Sequence, residues 1–486
     1  MSADKQVNIW HKEGQSVGET GTKEFPKGFV YGARLEFIPK DFVESRNLAN
    51  LYLHPELLVD AKRDASGSFV VVLGECVSIL SRDSKQSPAE ALLAALLWSK
   101  DQFLKELDNY SGRHAVIFGS QDHPMVVTDA TGMRSVFYDE NFGSFSSHAF
   151  IVARQRTLIQ ESDLPFRFGY PGNRTPFDGV RLLIPNNYLD VAQGGVRRFY
   201  PRAEIDARSV STAAEETSFY ASNALAQVAA RRPLRLALTA GLDSRVMLSL
   251  LASEGVEFET FTYGNRDDTL VDRKVAAALS AQVGVVHSEL TKPLRDTEIQ
   301  SALDQAHYKS LHQRWVPTLK SWFGDANTTC VTANLLEIGR SFYGRYRRSK
   351  VQRPTNSVAM WNLHRMSMGK SARSALLEFG RSRADEIGVS AFEGFLRDTD
   401  YESSLGYLDS FDQFYWEHRM GSWHGPAMVE RDFYSETFIP FNSRKIFEVM
   451  LGVEIEKRDS GDMFTAMINS SSPHLLEIPI NPTQWP

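Results

Sequence analysis

The residues best able to do chemistry lie at 234–245, which read Leu-Arg-Leu-Ala-Leu-Thr-Ala-Gly-Leu-Asp-Ser-Arg. A short apolar run ends in a small-residue turn closing on Asp243-Ser244, and an apolar helical segment, 246–251, follows. Small residues let backbone N–H groups approach an anion closely, and a helix N-terminus adds partial positive charge. Asp243 would repel a phosphate, so its expected role is to hold a Mg²⁺ that bridges to phosphates. The run therefore points to ATP chemistry at a pyrophosphate. The expected binding loop is Leu238, Thr239, Ala240, Gly241, Leu242, Asp243, Ser244 and Arg245. No Lys follows the glycine, so this is not the Gly-Lys-Ser/Thr nucleotide loop. The plainer alternative is a strand-to-helix turn with a capping Asp or Ser.

Elements around the loop must hold it at a sheet edge. Residues 258–263 read as a second strand. Residues 269–283 place Val271, Val275, Ala278, Leu279 and Val283 on one side of a helix that Gly284 ends, and 285–290 read as a third strand. Strand, helix, strand, helix, strand is an α/β doubly wound parallel-sheet unit, whose ligand sits at the carboxyl ends of the strands. Tyr263 and Gly264 fall there with the loop, and adenine is expected against the backbone near them.

At 486 residues the chain has room for about two to three domains. A net charge of −6 argues against a nucleic-acid groove. Cys76 and Cys330 are the only cysteines, too few for a disulfide framework or a zinc quartet, and a cytoplasmic location is the simplest expectation. Residues 1–16 are polar, with no apolar signal region, and no run approaches the roughly 20 apolar residues that span a bilayer. No nucleic-acid or membrane partner is expected, and a homodimer is left open.

Strands dominate before about residue 201. Residues 68–73 and 77–80 look like a strand pair turning around Gly74-Glu75-Cys76, residues 88–107 like one helix, and 114–118, 125–128, 136–138, 182–185 and 188–191 like short strands. The boundary falls at 201–211, before a helix at 212–231. The expected domains are an extension at 1–25, a strand-rich domain at 26–205 and an alternating domain at 206–486.

Thr239-Ala240-Gly241-Leu242-Asp243-Ser244 resembles the Ser-Gly-Gly-x-Asp-Ser loop of the N-type ATP pyrophosphatases, with Thr for Ser and Ala for the first Gly. Tyr110–Ala115 with Asp129–Tyr138, and Arg181–Pro185 with Phe199-Tyr200-Pro201, resemble the glutaminase domain of class II amidotransferases. Together they resemble the asparagine-synthetase-like family. That implies an α+β N-terminal Ntn-hydrolase-like sandwich, then an ATP-pyrophosphatase domain with a helical C-terminal part. It also implies ATP and Mg²⁺ as cofactors and an AMP-forming ligase. Such a ligase adenylates a small-molecule or peptide carboxylate and passes the acyl group to ammonia or an amine.

The departures are specific. Glutamine-using members carry a cysteine directly after the initiator Met, and residue 2 here is Ser, so no glutaminase activity is expected. The resemblance is then to β-lactam synthetase and the lasso-peptide cyclases. The family's second acidic loop corresponds to Thr332–Arg340, where Glu337 offers the only carboxylate, a second expected metal ligand, and Arg340 is new. Arg340 could bind pyrophosphate or a substrate carboxylate bidentately. In the aromatic run at 414–423, His418 and Arg419 are candidates to line an acceptor pocket. The late catalytic Lys of the family is matched loosely by Lys457 and Arg458. Two alternatives stay open: a thiolation or amidino-transfer enzyme, with Cys330 as a thiol, and a non-catalytic nucleotide- or partner-binding descendant.

Overall fold

The computed structural model describes residues 24–156, 169–306, 313–324 and 327–484; Ser2 and most of the expected extension lie outside them. In chain order the first strands are β1 (Phe29–Gly32), β2 (Val43–Glu44), β3 (Leu51–Leu53), β4 (Val59–Arg63), β5 (Phe69–Ser78) and β6 (Tyr110–Ser120). Then come β7 (His123–Thr128), β8 (Phe137–Asp139), β9 (Ser144–Ser146), β10 (Val180–Leu182), β11 (Asn187–Asp190) and β12 (Gly195–Arg198). They form two antiparallel sheets, ordered β10-β8-β9-β1-β3-β2 and β12-β11-β7-β6-β5-β4.

Alternation along β5 and β6 explains the layering. Val71, Leu73, Ala115 and Ile117 pack with Phe29, Leu51, Leu53 and Phe145 of the other sheet. Val70, Val72, Val116 and Phe118 point the other way, onto Leu92, Leu93, Phe103 and Leu104 of the helices Pro88–Trp98 and Lys100–Glu106. A strand buried on both faces reads as a continuous apolar run, which is what 69–73 is.

Two local expectations are corrected here. Gly74 is not a turn: β5 runs through it, paired to His114, at φ +102. A Cβ there would lie 2.4 Å from the Arg113 carbonyl oxygen, so only glycine permits the approach. The single helix expected at 88–107 is broken at Ser99, whose extended backbone ends one helix and whose hydroxyl accepts the Gln102 amide of the next at 3.0 Å.

The second part begins with the helix Val210–Ala229, capped by Ser209. Five parallel strands follow: β13 (Leu234–Ala237), β14 (Phe258–Tyr263), β15 (His287–Leu290), β16 (Thr329–Val331) and β17 (Glu436–Phe438), ordered β15-β14-β13-β16-β17. The helix Leu242–Glu254 ends at Gly255 and the helix Leu270–Val283 at Gly284, both glycines in the left-handed region. The protein is thus a mixed α/β structure with several sheets, one of them parallel. Among the described residues no helix is long and apolar enough to cross a membrane.

A buried ionic seam joins the two parts. Arg113 grips Asp432 through two bonds of 2.5 and 2.8 Å, Arg134 lies 3.5 Å from Glu436, and Lys27 lies 3.3 Å from Glu436. Arg198 grips Glu417 at 2.7 and 2.9 Å. Sequence spacing carried no sign of this seam, whose partners lie more than 200 residues apart.

Candidate active site

The sheet order decides where a ligand can sit. The chain runs from β13 outward through β14 to β15, then crosses back to β16 on the other side of β13. The loops leaving β13 and β16 therefore diverge and open a crevice at the carboxyl ends of these strands, the usual ligand position in such sheets. The first loop carries Thr239–Ser244 and the second Thr332–Arg340. They meet: Arg340 Nη2 lies 2.6 Å from Asp243 Oδ2.

Internal bonds hold the β13 loop. The Thr239 amide donates to Ser244 Oγ at 3.2 Å, the Ala240 amide to Asp272 Oδ1 at 2.9 Å, and the Gly241 amide to Thr239 Oγ1 at 3.3 Å. Thr239 Oγ1 and Ser244 Oγ are 3.0 Å apart. With those amides engaged, the donors open to an anion are the first amides of the helix starting at Leu242, which have no intrahelical acceptor. Leu238 and Ala240 are buried, while Thr239 is exposed at the mouth.

The β16 loop is strained. Leu335 is fully buried at φ +79, a costly conformation for a residue with a branched side chain. Its amide donates to Glu337 Oε2 at 3.1 Å. Glu337 in turn acts on Asp243, whose pKa is pushed up to about 7, first by burial and then by Glu337, with Arg340 pulling it down.

Mg²⁺ fits this site on one test. Asp243 Oδ1 is buried with no hydrogen-bond partner, as are Arg340 Nε, on the loop that meets it, and Oγ of the next residue, Ser341. A stranded carboxylate oxygen, with a second carboxylate close enough to raise its pKa, suits a divalent cation. No cluster of three His, Cys, Asp or Glu that could hold a metal occurs among the described residues. Mg²⁺ takes one or two carboxylates and completes its shell with water and phosphate, and Asp243 and Glu337 are two.

Other expected site residues go elsewhere. Arg245 does not face the crevice: it is fully buried and donates to the carbonyls of Leu475, Ile478, Pro479 and Ala240. Arg458 is buried on Asp412 at 2.5 Å, and Lys457 pairs with Asp462 at 3.2 Å. Asp412 supplies the counter-charge that offsets the cost of burying the Arg458 guanidinium. His418 is core, stacked on Phe414 at 4.8 Å and accepting the Gly172 amide at 3.1 Å; burial holds its pKa well below the ordinary value. Arg419 lies over Trp423 at 4.1 Å, on a π-helical stretch, Tyr415–His424. Tyr263 sits at the end of β14 beside Trp315, and the Gly264 carbonyl is held by Arg273 at 2.6 Å. Cys330 and Cys76 are fully buried, with thiols pushed up by burial, so neither offers an accessible thiolate.

Sequence reasoning missed Asp272, Ser341 and the C-terminal segment, where the Asn481 amide donates to the Ala240 carbonyl at 3.1 Å. Asp272 and the C-terminal segment reach the loop from distances in the chain that no motif encodes.

No family model and no curated protein matches the chain. Among solved structures it is similar to the glutamine phosphoribosylpyrophosphate amidotransferase from B. subtilis complexed with ADP and GMP. That likeness covers 64% of this chain and 70% of that one, at 10% identity and a TM-score of 0.23. An allosteric regulatory enzyme of purine biosynthesis is similar over 65% of this chain and 60% of that one, at 10% identity and a TM-score of 0.22. NMN synthetase from Francisella tularensis is similar over 57% of this chain and all of that one, at 11% identity and a TM-score of 0.20. Likeness at this level leaves the assignment to the residues of the crevice.

Proposed function

We propose that this chain is an ATP-dependent, AMP-forming carbon–nitrogen ligase. It adenylates a carboxylate, releases pyrophosphate and transfers the acyl group to ammonia or a substrate amine, with no glutaminase activity. The observation that carries this reading is the meeting of Asp243 with the β16 loop at the switch point, one carboxylate oxygen stranded and Glu337 close enough to raise the Asp243 pKa. Asp243 and Glu337 would hold Mg²⁺, which neutralises the departing pyrophosphate. The first-turn amides of the helix at Leu242 and the Thr239 and Ser244 hydroxyls would orient the phosphates, and Tyr263-Gly264 would border the adenine. Catalysis would rest on positioning and charge stabilisation.

The test is pyrophosphate release from Mg·ATP on adding amino-acid and short-peptide carboxylates with ammonium. Acid-dependent release supports the reading, and AMP should appear in equal amount. ADP and phosphate as products would overturn it. One observation favours a second reading, a nucleotide-binding protein without turnover: Arg340 occupies the carboxylate that the metal needs. Tight nucleotide binding without product, with every acid tried, is the outcome that reading expects.

A further inference from the structure

We infer that Arg340 is a displaceable counter-ion, so that the crevice takes up Mg²⁺ and a polyphosphate together and neither tightly alone; this rests on the nucleotide reading of the site. Arg340 occupies one oxygen of Asp243, at 2.6 Å, and leaves Oδ1 without a partner. Glu337 is bound to its own loop through the Leu335 amide and forms no ion pair among the described residues. The guanidinium thus does for Asp243, beside a second carboxylate that acts on it, the electrostatic work that a divalent ion would do.

A cation arriving alone must displace Arg340 or sit against it. Displacement breaks a charge-assisted bond in a mostly buried place, and like charges side by side repel. Mg²⁺ by itself offers the released guanidinium no new anion. A polyphosphate by itself meets two carboxylates and one arginine already engaged. Arriving together, they exchange one ion pair for two: metal on Asp243 and Glu337, Arg340 on phosphate oxygens. The side chain can make the exchange, since it is about one-third exposed (36%) and sits on a long stem. Two further donors stand ready beside it, the buried and unpaired Arg340 Nε and Ser341 Oγ. Linkage then requires each ligand to tighten the other by the same factor.

Calorimetry on the full chain reads this directly, with Mg²⁺ alone, α,β-methylene-ATP alone, and both. The wild type should bind the analogue at least about tenfold more tightly with Mg²⁺ than without, and Mg²⁺ alone only weakly. In Arg340→Gln, Mg²⁺ alone should bind about tenfold more tightly than in the wild type, and the mutual tightening should shrink to within about threefold. Arg340→Lys keeps the cation and should keep Mg²⁺ weak. Thermal melting of each variant separates these effects from unfolding. If Arg340→Gln leaves both the Mg²⁺ affinity and the mutual tightening as in the wild type while the analogue still binds, the inference falls and the nucleotide reading stands. If the wild type binds the analogue neither with nor without Mg²⁺, both fall.

Discussion

Glu337 turns back on its own loop and accepts the amide of Leu335 at 3.1 Å, fixing the left-handed turn by which the β16 loop reaches Asp243. The bond is structural and the charge is free for other work. Glu337→Gln keeps an acceptor oxygen at the same place, so the fold should hold within about 0.5 kcal/mol. The lost charge should appear in catalysis as a higher Mg²⁺ requirement for pyrophosphate release. Wild-type Mg²⁺ dependence in this variant would remove Glu337 from the metal site.

Asp243→Asn conserves volume and the contact with Arg340, so the melting temperature should change little. It deletes the carboxylate charge that Mg²⁺ would use. Transition-state charge stabilisation of this kind is worth a few kcal/mol, so turnover should fall roughly a hundredfold or more. Turnover within about threefold of wild type would sink the assignment of Asp243.

Arg245 tests the opposite role. Its guanidinium ties the carbonyls of Leu475, Ile478 and Pro479 to that of Ala240, and burial lowers its pKa to about 10. Arg245→Met fills similar space but strands several buried carbonyls, each costing about 1–3 kcal/mol if water does not reach it. Chemical denaturation should show a loss of at least about 3 kcal/mol, with nucleotide affinity changed far less. Unchanged stability with lost affinity would return Arg245 to the phosphate site.

The parallel unit was legible because its signals are local. Apolar periodicity set the helix Leu270–Val283, and Gly284 marked its end at a single position. The loop at Thr239–Ser244 was legible for the same reason. Gly74 misled because a glycine inside a strand and one in a turn look alike until the neighbouring carbonyl of Arg113 is known. Arg245, Arg458 and His418 misled because a polar side chain next to a motif is as readily a core ion or a core ring as a site residue. What buries Arg245 and Arg458, the C-terminal carbonyls and Asp412, comes from segments distant in sequence, while His418 is enclosed by Phe414 of its own run and by Phe392. Asp272, 32 residues beyond the amide it holds, left no trace in spacing.

Acid should weaken the fold before most carboxylates titrate. Burial lowers the pKa of His114 to about 4 and of His364 to about 3, and pushes His418 the same way. The unfolded chain takes up these protons near pH 6.5 and the folded one does not. Their contribution is therefore whole above pH 6.5 and declines as pH falls toward the folded values. Each histidine adds a slope of about 1 kcal/mol per pH unit. Asp243, raised to about 7, acts in the other direction with one proton, since its folded form takes that proton first. His287, also lowered by burial, joins them, and four histidines against Asp243 leave a net loss just below pH 6.5, which Asp60, Glu106, Asp108, Asp412 and Glu448, raised by burial, oppose as pH falls through their folded values. Urea unfolding at pH 7 and 6 should show a falling midpoint, and a flat profile would contradict the neutral buried histidines.

The seam at Asp432 should be sensitive to loss of either charge, because both partners are buried. Burial alone would raise the pKa of this carboxyl, but Arg113 and Arg134 outweigh it and hold the group below the usual carboxylate range. Its contribution is therefore present above the unfolded value and lost as pH falls through the folded one. Asp432→Leu removes the counter-charge from two arginines that are 1% and 2% exposed. A buried ion left without its partner costs about 3–5 kcal/mol. Arg113→Met combined with Asp432→Leu removes the main pair together and should recover part of that loss, although Arg134 still needs Glu436. A double-mutant cycle by chemical denaturation measures the coupling. A coupling below about 0.5 kcal/mol would mean that Arg113 and Asp432 do not hold the two parts of the chain together.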